Sequence, residues 1–379
     1  MKKIYYWGPF IDNKIATVNA IYNSVIGINR FSKSAEAKII NSIGEWNFKI
    51  GDTNKNFFIN LNLNLFNKLP KYGFFKSRIS YFIIFSVCFF KLKKLLIKDK
   101  PDFFIAHLII SLPLILFSFF AFDTKLIIRI SGKPKLNFFR KIIWKYTSKN
   151  VHKVFCPTKK TKELLIENKI FDEKRVFVLN DPIIYLKKFR ELKNDSYLDK
   201  TFKANNIILV GRLTRQKNFD LIIEAYKSND FLKLHKVFIF GDGENKKFLK
   251  KKIEMNNLEN KIFIMKHEQN IYKYMIKSKL FILTSLWEDP GFVLIESGMC
   301  NLNIISSDCP SGPKEIITKE ESGGYLFSIN DLNDLNRKIN QFFSEKDSEL
   351  NKKKIFLKKR LKKFTIFNHT ILLKKYLDV

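Results

Sequence analysis

Two carboxylates, Glu288 and Glu296, stand in an E-x7-E spacing within the segment SLWEDPGFVLIESGMC, with Pro290 and Gly291 between them. A carboxylate accepts two hydrogen bonds from a diol, which suits it to sugar hydroxyls. Pro290–Gly291 reads as a turn into a helix. The first N–H groups of that helix, at Gly291, Phe292 and Val293, have no partner within it and would form an anion site for a diphosphate. Glu288 would then face one end of a ligand and Glu296 the other. The same acids also fit plainer roles: Glu288 and Asp289 as acids favoured at a helix start, and Glu296 as a solvated helix residue.

Upstream lies GRLTRQKN, after the apolar run Ile207–Val210. Gly211 permits a tight turn away from a strand end. Arg212 and Lys217 can then project over a sheet edge, with Arg215 as a further cation. Arg offers a fork for phosphate oxygens and Lys a point charge. Taken alone, they are also ordinary surface cations of a Lys-rich chain. Gly241-Asp242-Gly243 is a turn after a strand and signals no more than that. In the first half, Gly8 ends the first apolar run, where a backbone can approach a phosphate. His107 ends the run Phe103–Ala106, a position open to a core histidine or to an active-site group. Arg129 and Ser131–Gly132 close the next run and are candidates to face a ligand cleft.

These residues need elements to carry them. Short apolar runs alternate with helical patterns: Ile4–Trp7, Phe103–Ala106, Leu126–Ile130, Val154–Cys156 and Val176–Leu179, then Ile207–Val210, Val237–Phe240, Ile262–Met265, Leu280–Leu283 and Asn303–Ser306. Such alternation predicts parallel sheets with right-handed crossovers. A polar, charged stretch at 187–204 separates the two blocks. The fold class expected is α/β, with two Rossmann-like domains. Residues 1–190 form the first of these domains and 191–350 the second. Residues 351–379 are C-terminal helices able to cross back to the first domain. Doubly wound sheets bind ligands at the carboxyl ends of their strands. In the second block that rule selects the loops 211–218, 241–244, 266–270 and 284–291.

The chain has 379 residues, with 69 Lys+Arg against 36 Asp+Glu and a formal net charge of +33. Its 46% hydrophobic content excludes a disordered basic tail. Four cysteines without CxxC spacing indicate neither a disulfide framework nor a zinc site, and reduced cytoplasmic thiols are expected. Residues 61–150 hold about 17 basic and 3 acidic side chains together with the longest apolar runs. Basic charge among apolar runs suits an anionic membrane surface better than nucleic acid. No zinc-finger, RNP or zipper pattern supports nucleic acid. The apolar run after Met1–Lys3 is too short for a secretory signal. Residues 103–122 have transmembrane length but read as a strand followed by a helix, and 79–90 are too short to span. In 352–364, Leu357, Leu361 and Phe364 recur at i, i+4, i+7 among lysines. That pattern suits an interfacial helix or a C-terminal helix packed on the core.

The ordered set GRLTRQKN, FGDGEN, EDPGFVLIE and SSDCPSGPKEI resembles the donor domain of retaining GT-B glycosyltransferases, glycosyltransferase family 4. The resemblance implies two Rossmann-like domains facing across a cleft, 1–190 acceptor-binding and membrane-facing with Arg129 and Ser131 as candidate acceptor contacts, 191–350 nucleotide-sugar-binding, and transfer of a hexose or N-acetylhexosamine from a nucleotide-sugar. The last segment is similar to enzymes that use UDP-sugars in bacterial surface-polysaccharide assembly. Arg212 and Lys217 would neutralise the diphosphate, met by Gly8 from the other domain. Glu296 would hold the ribose, Glu288 the donor sugar, and His107 would stand beside that sugar across the cleft. No metal or other cofactor is implied, because cations and helix N-termini stabilise the leaving diphosphate. Configuration would be retained, and the acceptor would be lipid-linked or a glycan at the inner face of the plasma membrane. Two departures stand out: a lone Gly8 before Pro9 where relatives often have paired glycines, and Arg129-Ile130-Ser131-Gly132 where many have His-Gly. A non-catalytic glycosyltransferase-like subunit and a basic nucleic-acid-binding protein are the alternative readings.

Overall fold

The computed structural model describes residues 1–12, 15–70, 74–132, 134, 136–194, 202, 205–318, 320 and 322–379. The charged stretch expected to separate the two blocks, 187–204, lies partly outside them, as do residues 13–14 of the first loop. The chain resolves into two compact units, Met1–Ile183 with Ile366–Val379, and Ile184–Thr365. The sequence reading drew its boundaries at 190 and 350 instead.

The first unit is built on seven parallel strands: β1 (Lys2–Trp7), β2 (Ala35–Asn41), β3 (Phe58–Asn60), β4 (Phe103–Ala106), β5 (Lys125–Arg129), β6 (Lys153–Cys156) and β7 (Val176–Val178). Their order is β3-β2-β1-β4-β5-β6-β7. Strand order reverses between β1 and β4, where Trp7 pairs with Ala106, so both strands end level. The second unit has six parallel strands: β8 (Ile207–Val210), β9 (Val237–Phe240), β10 (Ile262–Met265), β11 (Leu280–Leu283), β12 (Asn303–Ser307) and β13 (Tyr325–Phe327). Their order, β10-β9-β8-β11-β12-β13, reverses between β8 and β11. Each unit is therefore an α/β doubly wound sheet with its own switch point. Most central strands are buried on both faces, which is why they read as continuous apolar runs. The strands β2, β3 and β13 escaped the sequence reading: β2 alternates with Glu36 and Lys38, and β3 and β13 have three residues each.

Four helices of the first unit matter below: α1 (Ala16–Phe31), α2 (Phe74–Asp99), α3 (Ser111–Phe119) and α4 (Phe138–Thr147). Along α2, Ile84, Cys88, Leu92 and Leu96 recur every fourth residue and are buried in the core. Phe75, Phe82 and Phe90 of the same helix are exposed, as are Phe119 of α3 and Phe138 and Phe139 of α4. The run 103–122 is β4 followed by α3. Among the described residues, no helix is long and apolar enough to cross a membrane.

The C-terminal stripe settles against the interfacial alternative. Leu357, Leu361 and Phe364 are all buried. A Cβ at Gly298 would lie 2.6 Å from Leu361 Cδ1 and 2.9 Å from Leu357 Cδ2, so the helix Asp347–Leu361 packs on Phe292–Met299 by way of that glycine. The apolar stripe is spent on the second unit's core, and the lysines, with Ile355, meet solvent. The last helix, Ile366–Leu377, belongs to the first unit. There Gly27 of α1 lies against Ile366 and Thr370, and Phe31 meets Phe367 edge-on at 5.3 Å.

Candidate functional site

In the second unit, two loops at the switch point carry the E-x7-E residues and the cations. The loop after β8 turns at Gly211, where a Cβ would come within 2.9 Å of Lys217 Cε. Glycine therefore lets the Lys217 stem lie along the turn. Lys217 is buried and its Nζ donates to Glu288 Oε1 of the loop after β11. Ser285 Oγ donates to the same oxygen at 2.6 Å. Thr284 Oγ1 donates to Lys217 O at 2.7 Å, and the Leu286 N–H to Gln216 O at 2.8 Å, so the two loops are tied by backbone as well. Glu288 Oε2 accepts from no described residue. Arg212 is exposed and its side chain has no partner among the described residues, which leaves its fork free for an anion. The sequence reading placed Lys217 and Glu288 on different parts of the ligand; the fold puts them in one ion pair.

The loop 285–291 is braced from behind by the segment SSDCPSG. Ser307 Oγ donates to Ser285 O at 2.5 Å, and Ser311 Oγ to Glu288 O at 2.5 Å. Gly291 caps the following helix with φ +88°, a conformation open to glycine. The N–H groups of Phe292 and Val293 fall in the first turn, without intrahelical acceptors. One turn on, Glu296 accepts from Tyr272 Oη at 3.3 Å. Burial pushes its carboxyl up to about 7, and the Tyr272 hydroxyl opposes that shift.

In the first unit, Gly8 and His107 flank the other switch point. The His107 N–H donates to Trp7 O at 2.8 Å, and a Cβ at Gly8 would collide with Ile21 Cδ1. His107 is buried, its Nδ1 has no partner among the described residues, and desolvation with the nearby Arg129 charge holds its imidazole neutral. Ser131 Oγ donates to His107 O at 3.2 Å. Arg129 does not reach an open surface. Only 2% exposed, it donates from Nη2 to Asp181 at 2.5 Å. It props the strand ends from within.

Several partners lie beyond what spacing reveals. Tyr6 Oη and Ser24 Oγ are 2.8 Å apart, and Ser24 Oγ lies 2.8 Å from His369 Nε2. His369 Nδ1 is 2.7 Å from Asn180 O, and burial brings its pKa down to about 3, so it stays neutral. Asp181, Ser285, Ser311 and Tyr272 likewise had no sequence signal beyond residue type. Among the described residues, no three His, Cys, Asp or Glu side chains gather as a metal site.

The pattern of the family "Glycosyl transferases group 1" matches residues 192–359, which contain both second-unit loops. An uncharacterized glycosyltransferase of Methanocaldococcus jannaschii is 30% identical over 252 residues, covering 61% of each chain. The Campylobacter jejuni N-acetylgalactosamine-N,N'-diacetylbacillosaminyl-diphospho-undecaprenol 4-alpha-N-acetylgalactosaminyltransferase is 37% identical over 126 residues, 33% of this chain and 34% of that one. The matched part thus spans less than two thirds of these relatives' lengths. The crystal structure of Anabaena HepE in complex with UDP superposes with a TM-score of 0.71 at 13% identity, over 100% of both chains. Residues 192–359 match the pattern of the glycosyl transferases group 1 family, in a chain that has the GT-B fold.

Proposed function

We propose that the chain is a retaining glycosyltransferase that moves a hexose or N-acetylhexosamine from a UDP-sugar to a lipid-linked or polysaccharide acceptor in surface-glycan assembly. The observation that carries the reading is the second unit's switch point. Arg212, the N–H groups of a first helical turn and one Glu288 oxygen, none with a partner among the described residues, converge on two adjoining loops. Arg212 and the helix start would stabilise the diphosphate as negative charge develops on it. The Lys217 charge, neutralised by Glu288 in their ion pair, becomes available to phosphate as Glu288 turns to the sugar hydroxyls. Glu296 holds the ribose diol. These cations do the work of a metal ion, so no cofactor enters the reading. In the first unit, neutral His107 and Gly8 are assigned to the sugar and diphosphate, and Ser131 to the acceptor.

A lipid-linked acceptor is supported by the Campylobacter relative, whose name specifies a diphospho-undecaprenol substrate. It is also supported by the exposed phenylalanines of α2, α3 and α4, which stand among the first unit's lysines and arginines. Each Lys or Arg near an anionic surface contributes about 1 kcal/mol, enough in combination for reversible docking on the cytoplasmic leaflet. Thermal-shift titration with UDP-, GDP- and ADP-sugars tests the donor. Stabilisation by UDP-sugars is expected, and no response to any of the three would overturn the reading.

A further inference from the structure

At the carboxyl ends of β2 and β3 the first unit has a hollow of about 210 Å³ that no reading above uses. Its floor is Asn41, the last residue of β2, which pairs in register with Asn60, the last of β3. Asn41 is buried and all of its amide is engaged. Its Nδ2 donates to Asn47 Oδ1 at 2.8 Å and to Asn60 Oδ1 at 2.6 Å, while its Oδ1 accepts from the Trp46 N–H at 3.1 Å. That arrangement fixes the amide planes of Asn47 and Asn60, whose Nδ2 donors have no hydrogen-bond partner among the described residues. Asn62 and Asn64 complete the rim, both exposed and with amides that have no partner among the described residues.

The walls are held by backbone. The Leu61 N–H donates to Asn41 O at 3.0 Å, and those of Leu65 and Phe66 to Ile43 O at 2.9 and 3.0 Å. Gly44, at φ +88°, leaves open the space where a Cβ would meet Asn47 Nδ2 and Asn64 Oδ1. Ile50 and Leu63 give the hollow an apolar side.

Among the described residues, no charged side chain lines this hollow, in a chain with 69 Lys+Arg. A phosphate, a nucleotide or an anionic headgroup would be recognised by cations, and none is offered. Four amides around an apolar wall match a neutral, hydroxyl-rich ring. Each amide both donates and accepts, as each hydroxyl does, and the C–H face of a pyranose can rest on Ile50 and Leu63. The place is right for a ligand too, at the carboxyl edge of a doubly wound sheet.

We propose that this hollow binds one neutral pyranose residue of the acceptor glycan, a subsite that rests on the transferase reading for its purpose but not for its chemistry. The test uses the full chain and saturation-transfer NMR with glucose, galactose, N-acetylglucosamine and N-acetylgalactosamine, beside glucuronate and glucose 1-phosphate. The variant is Asn47→Asp with Asn64→Ala. Asp at 47 keeps the oxygen that Asn41 needs and removes the free donor, and Asn64 has no bond to lose, so the fold is retained. At least one neutral sugar should give signals that the double variant loses, while melting temperature and UDP-induced stabilisation stay as in the unsubstituted chain. Absence of signal from all four neutral sugars, equal signal in the variant, or preference for the anionic sugars overturns the proposal. Loss of UDP stabilisation with sugar signals intact would strike the transferase reading and leave this subsite standing.

Discussion

Lys217 and Glu288, 71 positions apart, form a buried ion pair in which Lys217 Nζ and Ser285 Oγ share the same carboxylate oxygen. The second oxygen, Oε2, has no partner among the described residues. A carboxylate held on one side and free on the other is oriented before any ligand arrives.

Breaking that pair from one side should be costly. Lys217→Ala leaves a buried, uncompensated carboxylate, with an expected loss of about 3–5 kcal/mol. Lys217→Met with Glu288→Gln removes both charges and should recover most of the loss. Thermal unfolding of the three proteins measures this; equal melting temperatures for the single and double variants would refute the pairing.

Glu288→Gln keeps the shape and the Ser285 contact but removes the charge. Transfer should fall by at least about 10²-fold while UDP still stabilises the chain. Undiminished transfer by the Glu288→Gln chain would refute the role given to Glu288, and absence of transfer by the unsubstituted chain would favour a non-catalytic subunit.

Arg212→Ala should behave in the opposite way. The side chain is exposed and unpartnered, so stability should shift by less than about 0.5 kcal/mol. Nucleotide affinity should drop by about 10- to 100-fold, as a lost charge-assisted hydrogen bond requires. Calorimetric titration with UDP, with and without EDTA, reads both this loss and the expected indifference to metal.

The raised Glu296 carboxyl gives a pH signature. Its ionised form is the one that accepts from a diol, so UDP affinity should climb between about pH 6 and 8 and be flatter in Glu296→Gln. Stability runs the other way. The folded value, about 7, lies above the ordinary 4.5, so this contribution is complete below pH 4.5 and lost as pH rises through 7. Glu45, buried on the N–H groups of Ser42 and Ile43, is also pushed up to about 7, so only the difference between the parent chain and Glu296→Gln isolates Glu296.

Two surfaces divide the membrane question. Phe138→Ser with Phe139→Ser should weaken flotation on anionic vesicles severalfold with little change in melting temperature, because both rings are exposed. Leu361→Ala should cost about 2–5 kcal/mol and leave flotation unchanged, because that residue fills the core against Gly298.

The central strands were legible in the sequence because they are buried on both faces and so read as uninterrupted apolar runs. The E-x7-E segment was legible because a turn and a helix start are local events, signalled by Pro290 and Gly291 beside the residues they position. Polar or very short strands such as β2 and β3 gave no such signal, and the asparagine hollow at their ends stayed hidden with them. Periodicity showed that Leu357, Leu361 and Phe364 share one face, yet a lysine-flanked apolar stripe looks the same whether lipid or protein covers it. Gly298 decided between them, because the missing side chain lets a second helix approach. The +33 charge, likewise, did not say that Arg129 lies inside on Asp181 or that Lys217 is neutralised by Glu288. Sequence fixes residue types and local rhythm. Which distant partners meet depends on how the packed elements bring loops together, and that only the tertiary structure decided.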